Sequence, residues 1–329
     1  MSSVSRRRFL ALSGSGIGAA ALSAYSFTHA AEHPDVESRL GAPVGPLNAP
    51  TPFPTPTPTP RPIEVRGRRA VKLLPETQWA IDGIEINSGR AGPRIMVLGG
   101  VHGNEPGGWL AAESIADWEI ERGSLLVFPR VNWRSCAVME RTLPEIGDVN
   151  RAYPGRSDGT PAQRIATAII EQGRLFEPEL LFDLHESWVF YQERGVSSGT
   201  AFIGQTFSIG GGADDATVDR LVNVVRTVNS NISEREEFFV RGAASGRPGV
   251  QTVAPNPTPT LAPGRTPTPS PTPGNGVTFG GSTSLSLGQW IKGCTPILIE
   301  MGQQNQTDSR RSALHQMLVR TTLDQSGML

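Results

Sequence analysis

Cysteine is scarce. Cys136 and Cys294 are the only two in 329 residues, too few for a disulfide-built scaffold. A single bridge and two inert buried thiols are both open, and neither spacing suits a zinc ribbon or a redox pair. An excess of positive charge is also missing: 30 Lys and Arg face 31 Asp and Glu, for a formal charge of -1. With aromatics at 6% as well, the chain offers no cationic footprint for nucleic acid. No apolar run beyond the N-terminus approaches the roughly 20 residues of a bilayer-spanning helix, so no stable membrane span is expected in the mature protein. What is present is 37% hydrophobic residues over a length that suits one large domain or two ordinary ones. A small-molecule or peptide partner follows.

Residues 1–31 combine a basic start, a weakly apolar Gly/Ala-rich stretch and small residues near Thr28–Ala31, where cleavage can fall. Ser5, Arg6, Arg7, Phe9 and Leu10 look like a twin-arginine signal, which predicts export to the periplasm or cell exterior of a bacterium. An ordinary secretory signal or a short membrane anchor is the alternative. Residues 32–62 read as a Thr/Pro-rich linker, extended because proline removes backbone donors. A second such tract, APNPTPTLAPGRTPTPSPTPG at 254–274, has patterned sequence on both sides. The remnant after it, about 55 residues, is marginal as an independent core. The tract is therefore read as a disordered loop, at about 251–277, inserted in one domain spanning 63–329.

Between the tracts, strand and helix signals alternate. RIMVLGG, SLLVFPRV, ELLFDLH and TPILIEMG read as buried strands; PGGWLAAESIADW, TPAQRIATAIIEQGRLF, DATVDRLVNVVRTVNS and SRRSALHQMLVRTTL read as helices. That order predicts an α/β domain with a largely parallel sheet covered on both faces, where ligands gather at the carboxyl ends of the strands. His102, His185 and Glu300 all fall at or near such ends.

From residue 63 onward there are three histidines, His102, His185 and His315. In VLGGVHGNEPGGW, His102 and Glu105 alone fit an ordinary strand-to-helix turn with an acid near a helix start. LFDLHES changes that reading. Asp183 and His185 share one side of a strand, so Asp183 can hold the imidazole in a single tautomer. Two histidines and one carboxylate are the donors of a catalytic zinc with a fourth position open. Such a metal still needs a carboxylate to take and pass on a proton, and Glu300, ending TPILIE, is the candidate over a solvated strand-end acid. The stretch PRVNWRSCAVMERTLPEIGDVNRAYPG shows neither helical nor strand order and reads as a cation-bearing loop. Within it, Arg151 beside Asn150 suits a substrate carboxylate, and Arg141 suits a developing oxyanion. His315 reads as a surface or packing residue.

Six pieces in order, GGVHGNEPGG, VN with Arg141 following nine residues after Asn132, DVNRAYPG, GTPAQRIA, FDLH and ILIEMG, resemble the succinylglutamate desuccinylase/aspartoacylase family of the zinc carboxypeptidase-like clan. They span 94–302 apart from the Thr/Pro tract. The resemblance implies a three-layer α/β/α sandwich around a mixed, largely parallel sheet, and one zinc per chain on His102, Glu105 and His185. It further implies Glu300 as general base and acid, Arg141 on the scissile carbonyl, and Asn150 and Arg151 on the substrate carboxylate.

The pattern departs in places. Zinc carboxypeptidases usually carry a pocket tyrosine between the second histidine ligand and the glutamate; here the interval holds only Tyr191, six residues after His185. The family's deacylases usually continue into a β-rich domain, whereas one helix follows Glu300 here, so an open pocket is expected. Glu186, where smaller residues are common, has no assigned role. The expected activity is that of a secreted zinc hydrolase cleaving an amide bond in a substrate with a free carboxylate, foremost an N-acyl amino acid or related compound. A carboxypeptidase acting on peptides or peptidoglycan stem peptides is the enzymatic alternative. A non-catalytic carboxylate- or peptide-binding protein on the same fold is the alternative of another class.

Overall fold

Apolar runs covered on both faces decide where the centre of this fold lies. The computed structural model describes residues 65–188, 203–234, 237, 239–242, 251–252 and 282–329. The expected signal, the linker, most of the inserted tract and Tyr191 lie outside those residues. Among the described residues, nine strands form one mixed sheet: β1 (Gly67–Leu73), β2 (Ile81–Asn87), β3 (Arg94–Gly99), β4 (Ser124–Phe128), β5 (Leu180–Ser187), β6 (Thr206–Ile209), β7 (Val240–Gly242), β8 (Gln251–Thr252) and β9 (Thr295–Gly302). Their spatial order is β1-β2-β4-β3-β5-β9-β6-β7-β8. The parallel character is concentrated in the centre, where β4, β3, β5 and β9 run side by side in one direction. These are the four strands read from the sequence, and β4, β5 and β9 are buried along their whole length. The hairpin β1–β2 and strand β6 add antiparallel pairings at the flanks.

Strand alternation sorts the core into two layers. Ile95, Val97, Leu125, Phe182 and Ile299 face α1 (Pro106–Ala116), α4 (Asp215–Ser230) and α5 (Asp308–Gln325), meeting Ile115, Leu221 and Leu318. Met96, Leu98, Leu126, Phe128 and Leu181 face the other way, toward Ile165 and Ile169 of α3 (Pro161–Phe176). The result is the α/β/α sandwich expected. Helix α3 starts where Thr160 and Gln163 cap each other reciprocally with Pro161 in the first turn, so its boundary is written in its sequence.

The stretch read as a loop without helical order is corrected here. It contains α2 (Trp133–Val138) and a 3-10 turn at Val149–Arg151. Asn132 accepts from the Ser135 amide to start α2, a cap too short-ranged to show against so brief an apolar pattern. Cys136 and Cys294 are separate free thiols, each buried, and burial pushes both up to about 12. Of the two open readings for the cysteines, the inert thiols hold.

Candidate active site

The carboxyl ends of β3, β5 and β9 deliver the chemistry to one edge of the sheet. After β3 the chain turns through Gly100, at φ +63°, and sends His102 and Glu105 into the interior. Gly103 is required in this turn, because a Cβ there would stand 2.1 Å from the Ser135 carbonyl carbon. Glu105 occupies the N-cap position of α1, yet its side chain makes no capping bond. It turns toward the histidines instead: Oε1 lies 2.7 Å from His102 Nδ1, and Oε2 lies 2.9 Å from His185 Nδ1. The two Nδ1 atoms are 3.0 Å apart. Two imidazole nitrogens facing each other over one carboxylate make a donor set that a cation between them would reconcile, and all three side chains are buried. His102, Glu105 and His185 are thus brought together as expected, and they fit a metal.

The outer nitrogens of both rings meet carboxylates. Asp183, buried with no exposed surface, places Oδ2 2.8 Å from His185 Nε2. Among the described residues the two atoms meet by proximity, without a hydrogen bond of proper geometry. Asp148 Oδ1 lies 3.0 Å from His102 Nε2. Sequence reasoning missed Asp148, which also accepts from the Asn150 amide at 2.9 Å and so shapes the turn carrying Asn150.

Electrostatics follow from this crowding. Burial acts against charging His102, but Glu105 and Asp148 outweigh it and raise the ring's pKa. Burial is likewise overcome at His185, raised well above its usual range by Asp183 and Glu105. Burial of Glu105 is overcome by the two histidines, which hold it below the usual carboxylate range. Asp148 is depressed in the same way, with His102 and Arg141 overcoming burial.

Glu300 stands directly opposite His185 in the β5–β9 register, on the same face of the sheet, and lines a cleft with His102 and Glu105. Burial pushes its carboxyl up to about 7. Ser187 donates to Oε2 at 3.2 Å and fixes the group's orientation, another contact the sequence did not announce. The cleft holds about 330 Å³ and also borders Arg141, Asn150, Arg151 and Trp188. Arg141 is half-exposed and bonds Glu105 Oε1 and Asp148 Oδ2, each at 3.2 Å. The Asn150 side-chain oxygen accepts from the Ser284 amide at 2.8 Å, which leaves the NH₂ end for a ligand. Arg151 bonds the Asn150 carbonyl at 2.8 Å. His315 is fully buried, which excludes its surface reading; among the described residues neither ring nitrogen has a hydrogen bond of proper geometry, and burial pushes it down to about 3.

Comparison with known proteins supports the fold. Residues 91–188 match the model of the succinylglutamate desuccinylase/aspartoacylase catalytic domain. An N-alpha-acetyl-L-2,4-diaminobutyric acid deacetylase from Halomonas elongata is 31% identical over 100 residues, which is 29% of this chain and 28% of that protein. Among solved structures, a succinylglutamate desuccinylase/aspartoacylase from Rhodobacter sphaeroides aligns with TM-score 0.53 and 18% identity, over 81% of this chain and 67% of that one. The product-bound cell shape determinant protein Csd4 from Helicobacter pylori aligns with TM-score 0.55 and 16% identity, over 76% of this chain and 56% of that one. At those identities the likeness is one of fold.

Proposed function

From a chain that resembles the succinylglutamate desuccinylase/aspartoacylase family through residues 91–188, we propose a zinc-dependent hydrolase that cleaves an amide bond in a carboxylate-bearing substrate. An N-acyl amino acid is the leading substrate class. The observation that carries the reading is the convergence of His102, Glu105 and His185 beside Glu300, four buried side chains from three adjacent strand ends. The acetylated amino acid named for the Halomonas relative supports the substrate class.

Zinc held by the two Nδ1 atoms and Glu105 would supply Lewis acidity at the cleft, lowering the pKa of water and polarising a carbonyl oxygen. The remaining work falls to the chain. Glu300, pushed to about 7, takes the proton of the attacking water and returns it to the leaving nitrogen, with Ser187 holding its other oxygen. Arg141 offers donors to the oxygen that gains charge, and Asn150 with Arg151 holds the substrate's carboxylate. Asp148 and Asp183 keep the outer imidazole nitrogens engaged, so the inner ones face inward.

The purified protein is expected to bind about one zinc per chain. Glu300→Gln should keep the metal and lose roughly a thousandfold or more in kcat. Wild-type activity in that variant removes Glu300 from its role, and a protein that takes up no zinc removes the hydrolase reading. Product analysis on acylated amino acids against short peptides separates deacylation from carboxypeptidase action by the fragment released. We also infer export by the twin-arginine route, supported by the composition of residues 1–31.

A further inference from the structure

Glu186 follows a ligand histidine, yet its side chain has no exposed surface and points away from His185, into the layer beneath α5. There it meets Arg311 Nε at 2.8 Å and Gln303 Nε2 at 2.9 Å. Arg311 is buried too, and also bonds Asp308 Oδ1 at 2.7 Å and the Gln306 carbonyl. A buried ion pair is weak evidence for stability, because the desolvation of two charges offsets most of their attraction. This pair therefore needs another explanation.

Its connections supply one. The Glu186 backbone amide donates to Glu105 Oε2 at 3.0 Å, the oxygen that also meets His185. Gln303, while bonding Glu186, reaches the carbonyl of Asn104 at 2.9 Å, the residue just before Glu105. Through its carboxylate and its backbone amide, Glu186 thus ties α5 and the segment after β9 to Asn104 and to the Glu105 side chain.

We infer that the Glu186–Arg311 pair is a positioning device that fixes the orientation of Glu105, and so the affinity of the metal site, and is not a stabiliser of the fold. The inference rests on the reading of His102, Glu105 and His185 as zinc ligands. Glu186 borders the cleft but keeps its carboxylate on Arg311 and Gln303, and both residues of the pair act through Glu105.

The test compares the full-length protein with the double variant Glu186→Met plus Arg311→Met. An apolar pair of similar size should leave the metal-free unfolding temperature near that of the wild type. Its zinc dissociation constant, measured by chelator competition, should rise about ten- to a hundredfold. At saturating zinc, kcat on an N-acyl amino acid should fall while KM holds. Glu186→Gln, which keeps an acceptor for Gln303, should recover part of the zinc affinity. Unchanged zinc affinity in the double variant overturns the inference alone, while the function stands. A double variant that fails to fold assigns the pair to stability and overturns it too. A wild type that binds no zinc overturns the functional reading, and the inference with it.

Discussion

Glu300 and the two site histidines are buried together, and their pKa values shift in the same direction for opposite reasons. Burial raises Glu300 from its ordinary 4.5 to about 7, whereas for His102 and His185 the neighbouring carboxylates overcome burial. Between 4.5 and about 7, folded Glu300 holds a proton that the unfolded chain has released, so stability falls as pH rises. The histidines contribute fully below their ordinary 6.5 and lose that contribution as pH climbs through their raised values. Glu105 and Asp148 are depressed, so their contributions vanish only in acid and do not interfere above about pH 5. His315, pushed down to about 3, works the other way: its contribution grows as pH rises toward its ordinary 6.5 and offsets that of Glu300 over the same range. Metal-free protein should therefore lose net stability above about pH 6.5, as Glu300 and the raised histidines give up their protons. Urea unfolding with a chelator present measures this; a flat or rising curve above that pH contradicts the assignment.

At the scale of elements, the turn after β3 is the tightest point of the site. A Cβ on Gly103 would meet Ser135 carbonyl carbon and oxygen, both at 2.1 Å, and the Glu140 carbonyl oxygen at 2.4 Å. These are backbone atoms, which cannot rotate aside as a side chain can. Gly103→Ala should destabilise by about 2 kcal/mol or more and weaken zinc binding, because α2 must move away from the turn holding His102. Gly67→Ala, with nothing within 4 Å of the added carbon, is the control and should melt like the wild type. Equal melting and zinc affinity in both variants would show that the turn can widen. The four central strands, with α1, α3, α4 and α5, were legible in the sequence because each buries a regular face. Strands β1 and β2 were not: on the sheet's edge, GRRAVKL keeps its first four residues exposed, which blurs the apolar pattern. The cluster of His102, Glu105 and His185 was legible from strand-end placement and from the family resemblance. Asp148 was not, since nothing in spacing announces that a carboxylate 46 residues after His102 will meet its Nε2.

Over the whole molecule, the chain on both sides of the Thr/Pro tract belongs to one sheet. Strand β9, which carries Glu300, lies between β5 and β6 and follows the tract in sequence. The returning segment also serves the cleft: Ser282 accepts from the Tyr153 amide at 3.2 Å, and the Ser284 amide holds Asn150 at 2.8 Å. A linker between independent domains would not be expected to place these contacts on either side of itself. An insertion would, because closing a longer loop adds only about 0.6 kcal/mol for each doubling of its length. Excising residues 254–274 while keeping 275–284 should therefore leave the unfolding temperature, zinc content and kcat as they are in the full chain. Calorimetry and steady-state kinetics on the excised protein decide the matter. A drop in unfolding temperature would make the tract part of the fold. A rise in KM with kcat preserved would place it at the mouth of the cleft, beside the exposed Trp188, as a contributor to substrate binding.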